Sequence, residues 1–135
     1  MQPERKEAGA EAPAADGPIL VVEDNEVNAL IIRAMLRKHG YEPHVATSGA
    51  EGIEMTERLR PRLILMDLQM PSLDGFAAAS AIRRGAGGAG PVIVAVTANA
   101  AGDVRQACRE AGFAGVLAKP IVIADLIALV HRYVA

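Results

Sequence analysis

Apolar residues in this chain fall into two alternating patterns from Ile19 onward: short unbroken runs, and stripes spaced three or four apart. Ile19-Leu20-Val21-Val22, Leu63-Ile64-Leu65-Met66 and Val92-Ile93-Val94-Ala95-Val96 are the runs. Each is short, bounded by breakers, and rich in branched residues or built wholly from apolar ones. That pattern predicts strands buried on both faces. Glu42 to Ala46 is a shorter stretch of mixed polarity, which predicts an edge strand. Ala114 to Ala118 predicts a last short strand.

Between the runs the spacing becomes helical. Asn25 is placed to cap a first helix that ends near Lys38-His39, with Gly40 beyond it. This helix carries two apolar stripes. Val27, Leu30, Ile31, Ala34 and Met35 make one; Ala29, Ile32 and Leu36 make the other, on roughly the opposite side. One stripe packs on the sheet, and the other is either covered by a neighbouring helix or open to a partner. Further helices are predicted over about 50–59, capped by Thr47 or Ser48, and from Ser72 or Asp74 to Arg84. Others cover about 100–111 and the C-terminal stretch, where Asp125 lies in the first turn. Residues 85–90, rich in glycine, predict a surface loop. They precede a strand where a phosphate-binding loop would follow one. Five strands alternating with five helices predict a single doubly wound α/β domain over 18–135, with a parallel sheet and right-handed crossovers. Residues 1–17, rich in Ala, Glu, Pro and Gly, predict a flexible tail or linker.

Composition narrows the function. The chain has 135 residues, 51% apolar but only 3% aromatic, so its core must come from aliphatic side chains, Ala and Met. A net charge of -2 gives no basic surface for nucleic acid. No apolar run approaches the roughly 20 residues of a membrane span. Cys108 is the lone cysteine, so no internal disulfide can form, and a cytoplasmic setting is expected. His39, His44 and His131 lie at a helix end, on the edge strand and near the C-terminus, which suits none of them as a phosphodonor.

The candidate chemistry sits where the strands end. The first delivers Glu23 and Asp24, the third Asp67, the fourth Thr97 and the fifth Lys119. In a parallel sheet these carboxyl ends share one edge, where ligands gather. Three carboxylates at close range need a counter-charge. Hard oxygen ligands suit Mg²⁺, and Lys119 adds a second positive charge. Such a site could guide a phosphoryl group onto Asp67, with Thr97 donating to a phosphoryl oxygen.

In order along the chain, Val21-Val22-Glu23-Asp24-Asn25, Met66-Asp67-Leu68-Gln69-Met70-Pro71, Asp74-Gly75, Val96-Thr97-Ala98 and Lys119-Pro120 resemble the receiver domain of two-component response regulators. The resemblance runs from Ile19 to about Val134. It implies a flavodoxin-like sheet of order 2-1-3-4-5 and a phosphoacceptor Asp67, charged from a phosphohistidine. It implies Mg²⁺ held by Asp24, Asp67 and the backbone carbonyl of Gln69, with Glu23 acting mainly through water. It also implies a cis Lys119-Pro120 bond, with Thr97 and Lys119 contacting the phosphoryl group. Beyond self-phosphorylation from a donor and self-dephosphorylation, no turnover is expected. Many receivers carry an aromatic residue three places before the lysine; here Val116 stands there, which puts the usual aromatic rotation in doubt.

Glu23 to Asn28 and Thr97 to Ala100 resemble receivers attached to hybrid histidine kinases. A free-standing regulator is the alternative. The partner implied is a histidine kinase or phosphotransfer protein, and Ala29, Ile32 and Leu36 are the expected docking face. No effector follows Ala135, so direct DNA binding is not expected. Two other readings are weaker. An aspartyl phosphatase resembling the haloacid dehalogenases needs a second acid where Gln69 stands. A flavin carrier needs a phosphate loop where Glu23-Asp24 would repel one.

Overall fold

A computed structural model describes residues 18–70, 75–86 and 90–134, except for the side chain of Ala86. Five strands, β1 (Ile19–Val22), β2 (His44–Ala46), β3 (Leu63–Asp67), β4 (Val92–Thr97) and β5 (Gly115–Ala118), form one parallel sheet of order β2-β1-β3-β4-β5. They alternate with α1 (Glu26–Lys38), α2 (Gly49–Leu59), α3 (Gly75–Ala86), α4 (Gly102–Glu110) and α5 (Ile123–Tyr133). The sheet order and the five alternating helices match the sequence expectation.

The period of two along each strand divides the core. Ile19, Val21, Leu63, Leu65, Val94 and Val96 face α1 and α5, where they pack with Ile32, Leu36, Leu126 and Val130. Leu20, Val22, Ile64, Met66, Ile93 and Ala95 face the other way, with Met55, Ala78, Ile82 and Phe113. Both faces of β3 are therefore buried, which is why its sequence is a continuous apolar run.

Local signals explain the helix ends. Asn28 N–H donates to Asn25 Oδ1 at 3.0 Å, capping α1. Gly40, at φ +89°, turns the chain at the other end, and Tyr41 and Gly40 donate to the carbonyls of Leu36 and Arg37. Ser48 caps α2 by accepting from Glu51 N–H at 3.1 Å, while the Glu51 carboxylate reaches back to Thr47.

Several boundaries differ from expectation for identifiable reasons. β2 starts at His44 rather than Glu42, because Glu42 is drawn to Arg33 and Arg37 and Pro43 has no N–H to pair. α3 runs on through Gly85 to Ala86. Its expected start at Ser72 or Asp74, like the expected tail 1–17, lies outside the described residues. α4 starts at Gly102, since the preceding loop satisfies its N–H groups with side chains.

One expectation is overturned. Ala29, Ile32 and Leu36, expected as the docking face, are the stripe buried against the sheet. Leu36 has no exposed surface. The opposite stripe is the open one: Val27, Leu30 and Ile31 are 64%, 65% and 46% exposed. Leu36 and Ile32 join the layer with Leu126 and Val130.

Candidate functional site

Strand register brings the predicted residues to one rim. Val22 pairs with Met66, so Glu23, the next residue, comes level with Asp67. Asp67 pairs with Val96, one residue before Thr97, and Thr97 pairs with Ala118, one residue before Lys119. Backbone hydrogen bonds extend this beyond the strands: Glu23 N–H donates to Ala46, Leu68 N–H to Val96 and Lys119 N–H to Thr97. The Lys119-Pro120 peptide is cis.

Carboxylate oxygens of Glu23, Asp24 and Asp67 lie within 4.8 Å of one another. Glu23 and Asp67 are each only 2% exposed, while Asp24 faces solvent. The Lys119 ammonium is 3.3 Å from Glu23 Oε1 and 3.3 Å from Asp67 Oδ1. The Asp67 contact is a hydrogen bond. The Glu23 contact has the distance of an ion pair but not the geometry of a hydrogen bond, so this buried oxygen keeps an unsatisfied lone pair. An all-oxygen set with three carboxylates, one ammonium and an orphaned buried oxygen fits a small hard dication.

The other predicted residues are near but occupied. Gln69 N–H donates to Asp67 Oδ1 at 3.0 Å, and Gln69 Oε1 accepts from Ala98 N–H at 3.1 Å. Buried Thr97 accepts from Asn99 N–H through its hydroxyl oxygen at 3.1 Å. The amide side chain of Gln69 holds a backbone donor, a role unlike that of a general acid. Val116 is half-buried against the α2–α4 side of the sheet, and Phe113 stacks edge-on against Phe76 with ring centroids 5.6 Å apart. Neither faces the sheet side of α1 and α5.

The electrostatics follow from this crowding. Burial pushes the Glu23 carboxyl above its ordinary value of 4.5. Sharing a hydrogen bond and charge repulsion with Asp67 push the same way, against Lys119 and the Asn25 N–H. The folded state therefore binds more protons than the unfolded chain from about 4.5 upward. This group's contribution to stability is complete below that value and falls as pH rises through the raised folded value. Without metal, the melting temperature of Glu23→Gln should consequently fall less with rising pH over this window than that of the wild type. Thermal scans in chelator across the acid range measure the slopes, and equal slopes would contradict the assignment.

Sequence reasoning missed a surface beside the site. The open stripe of α1 borders a groove of about 300 Å³ whose lining includes Ile31, Met35, Lys119, Pro120 and Ile121. Val122, just beyond, is 56% exposed. The signal was present in the larger stripe on α1, but its orientation was not.

Comparisons with known proteins agree with this geometry. The model of the response regulator receiver domain family matches residues 19–131. The hybrid signal transduction histidine kinase G of Dictyostelium discoideum is 42% identical over 118 residues, covering 85% of this chain and 3% of that protein. The receiver domain of the sensor histidine kinase PA1611 from Pseudomonas aeruginosa, solved with magnesium coordinated in its active-site cleft, is 41% identical with a TM-score of 0.79. That match covers 87% of this chain and 97% of that one. The co-crystal structure of the Saccharomyces cerevisiae phosphotransfer protein Ypd1 with the receiver domain of Ssk1 gives a TM-score of 0.81 at 29% identity, covering 87% and 88% of the two chains. The chain spans 3%, 6% and 9% of the length of three histidine kinases that it matches. These likenesses favour neither the phosphatase nor the flavin carrier. Among the described residues no helix is long and apolar enough to cross a membrane. With the sheet order, the shared rim and a match over most of its length in agreement, the chain belongs to the response regulator receiver domains, which act in two-component phosphorelay signalling.

Proposed function

We propose that Asp67 accepts a phosphoryl group from a phosphohistidine, in a site that Glu23, Asp24, Asp67 and the Gln69 backbone carbonyl build for Mg²⁺. The observation that carries this reading is the Lys119 ammonium, 3.3 Å from both Glu23 and Asp67 at a rim with three carboxylates. Bound there, Mg²⁺ would supply positive charge to the carboxylates and to the phosphoryl oxygens. A carboxylate oxygen of Asp67 attacks phosphorus, the P–O bond forms as the P–N bond to the donor imidazole breaks, and the ring nitrogen takes a proton from solvent. Lys119 moves from a shared ion pair toward the developing phosphoryl charge. Thr97 exchanges its contact with Asn99 for a donated hydrogen bond to a phosphoryl oxygen.

Metal binding should show directly in stability. A ligand that binds only the folded site stabilises it by about 1.4 kcal/mol at ten times its dissociation constant. Saturating Mg²⁺ should therefore raise the melting temperature by a few degrees, roughly 3–6 °C for a domain of this size. The Asp24→Asn protein should show little shift. An unchanged wild-type melting temperature in calorimetry would count against the metal assignment.

The donor surface is the exposed face of α1 rather than the buried stripe. Val27, Leu30 and Ile31, with Val122 and the groove beside Lys119, form an apolar area next to the phosphoacceptor. Helical phosphotransfer and kinase dimerisation domains present apolar faces that suit such a surface. The complex of Ypd1 with the Ssk1 receiver supports a partner of this class. Leu30→Glu should slow transfer from a phosphohistidine protein by about tenfold or more, because it places a charge in a desolvated contact. Labelling by a small phosphodonor should be unchanged. Equal slowing of both reactions would place the effect in the site, and no slowing of either would remove α1 from the interface. A cytoplasmic setting fits the single buried Cys108.

A further inference from the structure

The loop between β4 and α4 is held by side-chain oxygens. Asn99 N–H donates to Thr97 Oγ1 at 3.1 Å, and Ala101 N–H donates to Asn99 Oδ1 at 3.3 Å. Both ties are local. The third crosses from another loop: Ala98 N–H donates to Gln69 Oε1 at 3.1 Å, over a sequence separation of 29. No side chain caps the start of α4, so these ties set how the helix leaves the sheet.

Gln69 is itself closely positioned. Leu68, before it, donates its N–H to Val96, and Met70, after it, is buried in the core. Its own N–H donates to Asp67 Oδ1 at 3.0 Å. One residue thus touches the phosphoacceptor with its backbone and the β4–α4 loop with its side chain.

We propose that Gln69 is a positioning residue that couples the state of Asp67 to the start of α4. The inference rests on the phosphoacceptor reading of Asp67. Phosphorylation draws charge from the Asp67 carboxylate, which weakens it as the acceptor for Gln69 N–H. If Thr97 turns to the phosphoryl group, Asn99 N–H loses its acceptor in the same event. The Gln69–Ala98 tie is then the contact that decides where the loop settles. Val116 offers no ring that could swing against this loop, so the link through Gln69 supplies a route needing no aromatic lever.

The test compares Gln69→Leu, which removes the acceptor at similar size, with Gln69→Glu, which keeps an acceptor oxygen. Amide exchange is read by NMR in the metal-free protein. Resonance shifts over Gly102–Glu110 are then read on adding Mg²⁺ and beryllium fluoride, a phosphoryl mimic. In Gln69→Leu the Ala98 amide should exchange about tenfold faster, the size expected for one lost hydrogen bond, while β4 amides keep their protection. Gln69→Glu should retain Ala98 protection. The α4 shifts on adding the mimic should fall at least about twofold in Gln69→Leu. Unchanged Ala98 exchange in Gln69→Leu, or α4 shifts equal to those of the wild type, would overturn the coupling. Intact mass after treatment with a small phosphodonor separates the two readings. Normal phosphoryl uptake by the wild type, with α4 shifts equal in wild type and Gln69→Leu, overturns the coupling alone, and no uptake by the wild type overturns both.

Discussion

Asp67→Asn is expected to take up no phosphoryl group and, in chelator, to melt several degrees above the wild type. An amide is too poor a nucleophile to form the acyl phosphate, so labelling should be lost entirely. The gain in stability comes from the neighbours. Glu23 and Asp67 are both 2% exposed and share a single ammonium, and the Asp67 charge adds to burial in raising the Glu23 carboxyl. Asparagine keeps an oxygen to accept from Gln69 N–H and Lys119, and its amide can donate to the orphaned Glu23 oxygen. Relief of one close like-charge contact is worth about 1–2 kcal/mol, or roughly 3–6 °C here. The same change should abolish most of the stabilisation by Mg²⁺. Thermal scans with and without metal measure both effects. A lower melting temperature in chelator would mean that the carboxylate makes structural bonds an amide cannot replace.

Gly75→Ala should destabilise the protein and loosen the metal site together. A Cβ added at Gly75 would lie 2.7 Å from the Asp67 carbonyl oxygen and 3.0 Å from Leu68 Cα. Both are backbone atoms at the end of β3, so relief requires moving either the strand end that carries Asp67 or the start of α3 packed against it. Alanine in a helix is otherwise favoured over glycine by about 1 kcal/mol, so propensity alone predicts stabilisation. The clash should outweigh it, for a net loss of about 2–3 kcal/mol. That corresponds to a fall of roughly 6–10 °C in the melting temperature. The shift produced by Mg²⁺ should shrink as well, because Asp67 and Gln69, the proposed ligands, move with the strand end. A protein as stable as the wild type would show that α3 can move outward without cost to the site.

Much of this was legible because the three central strands read as uninterrupted apolar runs with Glu23, Asp67 and Thr97 directly after them, and Lys119 follows the last short strand. Glu23, Asp67, Thr97 and Lys119 could be brought together from strand ends alone, since parallel strands place all such ends on one edge. What sequence did not reveal is orientation. Both stripes of α1 are apolar, and periodicity locates a face without saying which layer it joins. The larger stripe, with Val27, Leu30 and Ile31, is outside, against the usual rule that the more apolar side faces the core. The side-chain link from Gln69 to Ala98 was hidden for another reason. It depends on the mutual approach of two loops, which neither loop encodes by itself. Glu42 was assigned to a strand on pattern, but two arginines on α1 hold it outside.

The most direct measurement is intact mass of the purified wild type after incubation with a small phosphodonor, with and without Mg²⁺, followed by peptide mapping of the modified residue. A gain of one phosphoryl group is expected, dependent on the metal and mapped to Asp67. No gain in mass, a gain independent of Mg²⁺, or a phosphoryl group on any other residue would contradict it.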